Sequence, residues 1–290
     1  MEVIRTIKEM NAATTAIKRS GRPLALVPTM GALHDGHATL MRRAHESDAA
    51  VVVSIYVNPT QFGPKEDFTK YPRTLEADCQ ICEREGAAVV FAPADNEMYP
   101  DGQPRLRGRG QSAISTWVEE LEVAKRLEGE RRPGHFRGVC TVVAKLFNIV
   151  QPDRAYFGQK DYQQLKVIQR MARDLCYPIE IVAMPTVREV GGLALSSRNR
   201  YLSELERVQA TVLWKSLNTA RGLFISGECN PKRLQTAMAK VVAAVPSACL
   251  DYAEVVDGET LEPVSAVEDG NVALIAAFVG KTRLIDNLAL

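Results

Sequence analysis

Short apolar runs separated by amphipathic stretches dominate the chain up to about residue 185. The runs are three to seven residues long and mostly apolar, which is typical of strands that are buried on both faces. They are Leu24–Val27, Val51–Val57, Ala88–Phe91, Ala155–Phe157 and Ile179–Ala183. Helical patterns lie between several of these runs. Alternation of strands and helices predicts an α/β fold with a parallel, doubly wound sheet.

Two helical patterns in this part are clear. Apolar residues recur at spacings of three and four over Val139–Val150 and give one continuous apolar stripe, which Gln151-Pro152 ends. A second pattern covers Asp161–Leu175 and stops before Pro178. Asp161 is an acidic residue of the kind that favours a helix N-terminus. We therefore expect two long helices here.

The pattern changes after about Pro185. Helical patterns cover Leu205–Phe224 and Leu234–Val245. Three strand candidates follow, namely Leu250–Val256, Val272–Phe278 and Thr282–Asn287. No connection of helix length separates the last two, which predicts a small antiparallel sheet. The predicted domains are residues 1–185, with the parallel sheet, and residues 186–290, a smaller α+β domain of helices and an antiparallel sheet.

Composition and charge narrow the classes of partner. The chain has 290 residues, of which 46% are hydrophobic, and 36 Lys and Arg face 35 Asp and Glu. A net charge of +1 gives no electrostatic reason to expect a nucleic acid or a membrane surface as partner. The N-terminus has no apolar signal core, and no segment approaches the ~20 apolar residues that span a bilayer. We expect a cytoplasmic protein that binds small molecules.

The six cysteines do not show the spacing of a disulfide framework. Cys79 and Cys82 form a CxxC motif, but with Leu75 they follow helical spacing and share one face. No second pair of Cys or His lies nearby to complete a zinc site. We interpret the pair as core residues.

The run from Pro28 to His37 is the most informative segment for function. It follows the apolar run Leu24–Val27 and leads into an amphipathic stretch, so it predicts a turn between a strand and a helix. His34 and His37 stand three residues apart above the expected helix N-terminus, an arrangement suited to nucleotide phosphates. The alternatives are a metal site or two surface histidines. Gly36 favours the nucleotide, because glycine at a helix start is costly unless a ligand approaches the backbone.

Two further clusters carry groups that bind phosphate. Leu195-Ser196-Ser197-Arg198 offers hydroxyls and a guanidinium, although, taken alone, a solvated inter-domain loop before a helix capped by Ser203 explains it better. Gly158-Gln159-Lys160-Asp161 follows the strand candidate Ala155–Phe157, at the end where open α/β sheets bind ligands. Lys160 would face phosphate there, and Asp161 would accept from ribose hydroxyls or cap its helix.

Seven blocks of sequence now identify a family. They are Pro28–Gly31, His34–His37, Val57–Phe62, Tyr71–Thr74, His135–Phe136, Phe157–Gln164 and Ser196–Leu202. His34-Asp35-Gly36-His37 resembles the HxGH signature of the nucleotidyltransferase superfamily. All seven blocks stand in the order seen in the pantothenate synthetase (pantoate–β-alanine ligase) family, which the chain resembles over nearly its full length. The resemblance implies a homodimer with a Rossmann-like N-terminal domain and a C-terminal lid domain.

The resemblance also implies roles for single residues. Those implied to bind ATP are Met30, Gly31, Ala32, Leu33, His34, Asp35, Gly36, His37, Gly158, Gln159, Lys160, Asp161, Val187, Leu195, Ser196, Ser197 and Arg198. The catalytic residues are His37 as proton donor, His34 as its assistant, and Lys160. Pantoate is assigned to Gln61, Gln164 and Asn58, and β-alanine to Gln61. Leu195 replaces the family's usual Met. Ala77 stands where acidic residues are frequent in the family, and this difference leaves the protein ligands of Mg²⁺ open.

The implied reaction joins pantoate to β-alanine with ATP as co-substrate and Mg²⁺ as cofactor. It proceeds through pantoyl adenylate and releases AMP and pyrophosphate. Another HxGH adenylyl- or cytidylyltransferase is the alternative. The neutral amides of Gln61 and Gln164 suit a carboxylate and hydroxyls, whereas a phosphorylated acceptor would favour additional Arg or Lys. A nucleotide sensor without catalysis would lack this acceptor pocket, and a class I tRNA synthetase would need a basic face.

Overall fold

The apolar runs of the first half form a six-stranded parallel sheet. A computed structural model of the chain describes residues 1–64, 66–101 and 114–290. The strands of this sheet are β1 (Glu2–Ile4), β2 (Leu24–Thr29), β3 (Ala50–Ile55), β4 (Val89–Phe91), β5 (Arg154–Gly158) and β6 (Glu180–Met184). The parallel, doubly wound sheet that the sequence predicts is confirmed.

The order of the strands locates the place where ligands bind. The sheet runs β1-β4-β3-β2-β5-β6, with every neighbouring pair parallel. From β2 the chain moves outward through β3 to β4, and later it moves from β5 to β6 on the other side. The direction therefore reverses between β2 and β5, which pair at Leu26 and Ala155. Open α/β sheets bind ligands beyond the carboxyl ends of their strands at such a switch point.

Strand β1 is absent from the sequence prediction. It has three residues, of which only Ile4 is buried, so no apolar run marks it. It joins the sheet because its backbone pairs with β4, with Val3 opposite Val90. The helix that follows begins after Thr6, whose hydroxyl accepts a hydrogen bond from the Glu9 N–H at 3.2 Å.

Seven helices accompany this part of the described chain. They are α1 (Ile7–Arg19), α2 (Asp35–Glu46), α3 (Leu75–Arg84), α4 (Asp95–Met98), α5 (Glu128–Arg131), α6 (His135–Val150) and α7 (Tyr162–Asp174). Helix α6 starts one turn before the predicted Val139 and ends at Gln151, which is left-handed with φ 49°. A 3-10 turn, Gln159–Asp161, precedes α7. None of the helices in the described ranges has the length and apolar composition needed to cross a bilayer.

The CxxC pair lies on helix α3 against the hydrophobic core. Cys82 is fully buried among residues of β2, β3 and α2, and Cys79 packs against the same cluster while partly exposed. Burial raises the pKa of the Cys82 thiol to about 12. Within the described residues, no three His, Cys, Asp or Glu side chains gather as a metal site. Core packing therefore accounts for the spacing.

The C-terminal part forms the predicted antiparallel sheet. Its strands are β7 (Ala248–Asp257), β8 (Asn271–Val279) and β9 (Thr282–Ala289), with β8 in the middle. Its helices are α8 (Glu204–Ala210), α9 (Val212–Ile225) and α10 (Pro231–Ala243). The prediction of one helix over 205–224 is wrong, because the pattern divides at Thr211. The hydroxyl of Thr211 donates to the Val208 carbonyl at 2.7 Å and competes with the helical backbone bonds there.

The described chain divides into two compact units. The first comprises Met1–Gly158 and Val167–Met184, and the second comprises Gln159–Lys166 and Pro185–Leu290. Residues 159–166 thus group with the second unit, although the predicted domain 1–185 includes them. Two contacts explain this grouping. The Tyr162 hydroxyl donates to the Gly258 carbonyl at 2.9 Å, and Lys166 pairs with Glu259 at 2.6 Å.

Candidate active site

The turn after β2 is held in an unusual backbone conformation by a buried carboxylate. Gly31 and Ala32 have positive φ angles of 82° and 51°. The Ala32 and Leu33 N–H groups donate to the two oxygens of Asp78 at 3.0 and 2.8 Å, and Asp78 is only 2% exposed. A Cβ on Gly31 would lie 3.0 Å from Asp78 Oδ2 and 3.2 Å from Ile55. Only glycine fits this position without strain.

His34 and His37 close the N-terminus of α2 as a reciprocal capping box. The Gly36 N–H donates to Nδ1 of His34 at 3.2 Å, and the His34 N–H donates to Nδ1 of His37 at 3.3 Å. The ring centroids lie 4.1 Å apart. An Nδ1 that accepts a hydrogen bond leaves the proton of a neutral imidazole on Nε2. Both rings therefore carry an Nε2–H donor beside a helix N-terminus, an arrangement suited to anionic oxygens.

Carboxylates near this turn do not form a protein cage for Mg²⁺. Both oxygens of Asp78 accept backbone hydrogen bonds, and Glu76, two residues earlier on α3, is exposed. No cluster of three metal-ligating side chains occurs in the part of the chain that the structure describes. The donors that the turn presents are the two imidazole N–H groups, which suit anions rather than cations. At this turn the described residues form no cage of three protein ligands for Mg²⁺.

A concave surface opens beside the turn at the carboxyl ends of β2, β3 and β4. The cavity has a volume of about 330 Å³. Its lining includes Met30 and Gly31 from the turn, Tyr56 after β3 and Asp95 after β4. The Tyr56 hydroxyl donates to Asp95 at 3.0 Å. This edge of the first unit therefore combines the histidine pair with space for a small ligand.

Gln61 lies in a buried polar network next to the same turn. Its Nε2 donates to the sulfur of Met30 at 3.0 Å, and its Oε1 accepts from Asn58 Nδ2 at 3.1 Å. Asn58 also donates to the Gly138 carbonyl at 3.1 Å, and its Oδ1 accepts from the Tyr99 hydroxyl at 2.7 Å. Asn58 is 1% exposed. These contacts fix the orientation of the Gln61 amide, and the assignment of Asn58 to pantoate stays a prediction.

The backbone of Gln61 is held by a neutral histidine on α6. His135 Nδ1 lies 2.8 Å from the Gln61 carbonyl oxygen, and its Nε2 lies 3.0 Å from Arg132 Nη1. Burial, with a smaller contribution from the Arg132 charge, lowers the pKa of His135 to about 4. Because the arginine only donates and the carbonyl only accepts, the ring carries its proton on Nδ1. Glu66 holds Arg132 in turn, through bonds of 2.9 and 2.8 Å.

The Lys160 segment is a single 3-10 turn in the second unit. Lys160 Nζ pairs with Asp161 Oδ1 at 3.0 Å. The side-chain amide of Asn287 donates to the carbonyls of Gln159 and Lys160 at 2.9 and 2.8 Å. Asp161 therefore contacts Lys160 itself, in addition to lying just before helix α7.

The segments around Val187 and Leu195 are joined by a hydrogen bond between backbone groups. The Leu195 N–H donates to the Val187 carbonyl at 2.9 Å. The hydroxyl of Ser196 accepts the Arg198 N–H at 3.3 Å and starts a 3-10 turn that includes the buried Ser197. Two stretches that are separate in the sequence thus form one local structure in the second unit.

The residues predicted to form the site lie in both units. Those in the first unit are Met30–His37, Asn58, Gln61 and Gly158, and those in the second unit are Gln159–Asp161, Gln164, Val187 and Leu195–Arg198. Within the first unit, the structure joins Met30, Asn58 and Gln61 through hydrogen bonds. Gln164 is half-buried in the first turn of α7. The ligand assigned to each residue stays a prediction.

The model of the pantoate–β-alanine ligase family matches residues 2–289. The chain belongs to the pantoate–β-alanine ligase family. The pantothenate synthetase of Geobacter sulfurreducens is 51% identical over 290 residues, which cover 100% of this chain and 99% of that protein. That of Thermotoga petrophila is 48% identical over 290 residues, with 100% of both chains covered. The similarity therefore spans both units of the ligase.

Solved structures agree with this assignment. The pantothenate synthetase from Thermus thermophilus is 44% identical, with a TM-score of 0.91 over 100% of this chain and 99% of that one. The pantoate–β-alanine ligase from Francisella tularensis, solved in complex with β,γ-ATP and β-alanine, is 32% identical. Its TM-score is 0.78 over 100% of this chain and 97% of that one. The fold of the ligase is thus that of a known ligase.

Three residues that shape the site in this ligase have no role in the sequence interpretation. Asp78 binds the turn, His135 holds the Gln61 backbone, and Asn287 holds the Lys160 segment. His135 does occur in one of the family blocks, so the sequence marks it without indicating its contact. Asp78 and Asn287 carry no local signal, because their partners are far away in the sequence.

The buried His135 predicts a pH dependence of stability. Its pKa is about 4 in the folded ligase against 6.5 for an ordinary histidine. Between these values the unfolded chain binds a proton that the folded chain does not bind, so stability falls as the pH falls. Lowering the pH from 7.5 to 5 is expected to cost wild type about 2 kcal/mol more than it costs His135→Asn. Urea unfolding of both proteins at both pH values measures the difference, and parallel pH dependences would contradict it.

Proposed function

We propose that the chain condenses pantoate with β-alanine through a pantoyl adenylate, and that it releases AMP and pyrophosphate. The observation that carries the proposal is the capping box of His34 and His37, which sets two Nε2–H donors at the N-terminus of α2. This helix follows β2 at the switch point of the sheet. Gln61 lies beside the same turn through its bond to Met30.

In the first step the pantoate carboxylate attacks the α-phosphorus of ATP, and pyrophosphate leaves. Negative charge grows on the transferred phosphoryl group and on the leaving group. The groups proposed to stabilise it are His34, His37, Lys160, Ser196, Ser197 and Arg198, all of which donate hydrogen bonds. Mg²⁺ is proposed to bind the phosphates of ATP rather than a protein cage. The remaining predicted nucleotide residues supply backbone and ribose contacts.

Pantoate is proposed to bind the side-chain amides of Gln61 and Gln164. An amide both donates and accepts, so it can serve a carboxylate and a hydroxyl of the same ligand. Asn58 orients the Gln61 amide through the bond at 3.1 Å, and His135 fixes the Gln61 backbone through the bond at 2.8 Å. A preoriented amide loses less conformational entropy when it binds.

In the second step the neutral amine of β-alanine attacks the acyl carbon of the adenylate, and AMP leaves. No nucleophilic side chain is required, so positioning supplies most of the acceleration. Gln61 is proposed to contact β-alanine as well as pantoate. The division into a nucleotide- and pantoate-binding domain, residues 1–185, and a lid, residues 186–290, stays a prediction. The homodimer and the cytoplasmic location also stay predictions.

Isotope exchange tests the proposal. With ATP and pantoate but no β-alanine, labelled pyrophosphate is expected to exchange into ATP, because adenylate formation is separable from amide formation. Adding β-alanine should yield AMP and one equivalent of pantothenate. A plain nucleotidyltransferase would release pyrophosphate but form no amide. ADP as the product would contradict the mechanism.

A further inference from the structure

Asn287 holds the backbone carbonyl groups of Lys160 and of the residue before it. Its side-chain amide donates to the carbonyl of Gln159 at 2.9 Å and to that of Lys160 at 2.8 Å. Asn287 is 8% exposed and lies in β9, opposite Leu274 of the central strand β8. A side chain on a rigid strand thus bridges two consecutive carbonyls of a short turn.

The residue before Asn287 anchors it to Arg188, the neighbour of the predicted nucleotide residue Val187. Asp286 is 3% exposed and forms a bidentate pair with Arg188, at 2.6 and 2.9 Å. The Asn287 N–H donates to Asp286 Oδ1 at 2.8 Å. The Arg188 guanidinium stacks 3.7 Å from the centroid of the Trp214 ring. These contacts fix the strand position from which the Asn287 amide reaches the Lys160 segment.

We propose that Asn287 is the positioning residue of Lys160. The inference rests on the proposed function, in which Lys160 stabilises charge on the phosphates of ATP. A 3-10 turn of three residues makes few backbone bonds of its own. Asn287 fixes the carbonyl of Lys160, and Asp161 contacts its ammonium group at 3.0 Å. Without Asn287 the turn can shift, and the ammonium group moves with it.

The expected effect follows from the geometry that a charged donor requires. A displacement of about 1 Å at a catalytic group costs about 10²-fold in rate. The variants Asn287→Ala and Asn287→Leu both remove the two N–H donors of the amide, and leucine keeps the branched shape of the side chain. Both are expected to lower the rate of pantoate-dependent pyrophosphate exchange about 10- to 100-fold, with an unchanged KM for pantoate. In Asn287→Ser the hydroxyl lies one bond short of both carbonyls, so this variant should behave like alanine.

A double-mutant cycle distinguishes positioning from a merely structural role. If Asn287 acts through Lys160, adding Asn287→Ala to Lys160→Ala causes no further loss of exchange. The matched control is Asn271→Ala. Asn271 is also a buried asparagine of the same sheet, but its Oδ1 accepts the Glu268 N–H at 2.9 Å, in the turn that leads into β8. This control should keep the wild-type exchange rate.

The outcomes separate this inference from the proposed function. If wild type shows no pantoate-dependent exchange, the proposed function is wrong. If wild type exchanges and all Asn287 variants match it, only the positioning role is wrong. An equal loss in the Lys160→Ala background, or a loss in Asn271→Ala as large as in Asn287→Ala, also overturns it. Thermal melting of each variant shows whether it is folded. If Asn287→Ala and Asn287→Leu are unfolded, the exchange rate is measured on Asn287→Ser.

Discussion

His37→Ala is expected to lower the rate of pantoate-dependent pyrophosphate exchange about 10²- to 10³-fold, and Lys160→Ala should have a similar effect. Both residues are proposed to donate to phosphate oxygens that gain negative charge in the first step. A donor that is already oriented toward this charge stabilises the transition state more than the ground state. The measurement is the exchange rate at saturating ATP and pantoate.

His37 also caps helix α2, so alanine removes two functions together. The His34 N–H donates to Nδ1 of His37 at 3.3 Å, and loss of a cap costs about 1 kcal/mol of stability. His37→Asn separates the two, since asparagine keeps an acceptor near the position of Nδ1 and lacks a donor at Nε2. It should be as stable as wild type and as slow as alanine. If His37→Asn exchanges pyrophosphate at the wild-type rate, the slow exchange of His37→Ala results from loss of the helix cap and not from loss of the Nε2 donor.

His45→Ala is the matched control for the histidine pair. His45 lies on the same helix, exposed, eight residues beyond His37, which is about 12 Å along the helix axis. It should exchange pyrophosphate at the wild-type rate. If His45→Ala lowers the exchange rate as much as His37→Ala does, the N-terminus of α2 is not the part of the helix that contacts the phosphates.

The sequence predicts strands well where both faces are buried. Val51–Val53 is fully buried in β3, and an uninterrupted apolar run is the direct consequence of such burial. In β1 only Ile4 is buried, and the strand exists because β4 offers a free edge for pairing. In the C-terminal helices, apolar periodicity continues through Thr211, although a side-chain bond divides the helix there. Periodicity reports the buried face and does not report such a bond.

In the candidate site, too, the sequence predicts the local features and does not predict the long-range contacts. The sequence predicts His34 and His37 at a helix start because the motif is local, and the structure confirms that position. It does not predict the capping box, in which each ring accepts a backbone hydrogen bond. Asp78 lies 46 residues from Ala32, and Asn287 lies 127 residues from Lys160. Contacts over such separations depend on the fold, so no local pattern indicates them.

Gln61→Ala and Gln164→Ala are expected to reduce kcat/KM for pantoate, while the affinity for ATP changes little. Each variant leaves polar groups of pantoate without a partner, at about 1–3 kcal/mol for each lost bond. The Gln61 amide is buried and oriented by Asn58. Water therefore does not easily take over its hydrogen bonds in the alanine variant. Gln169→Ala, five residues beyond Gln164 on α7, is the control and should match wild type.

Substrate analogues test the same pocket from the side of the ligand. An analogue of pantoate without its secondary hydroxyl should lose more in kcat/KM than one that lacks a methyl group. The reason is that a polar site left unpaired rejects a ligand more strongly than an apolar wall rejects a missing carbon. In Gln61→Ala and Gln164→Ala this preference for the hydroxyl should shrink, because its partner has already been removed. If both variants keep the wild-type dependence on pantoate and instead bind ATP weakly, the glutamines belong to the nucleotide site, and a plain nucleotidyltransferase explains the chain better.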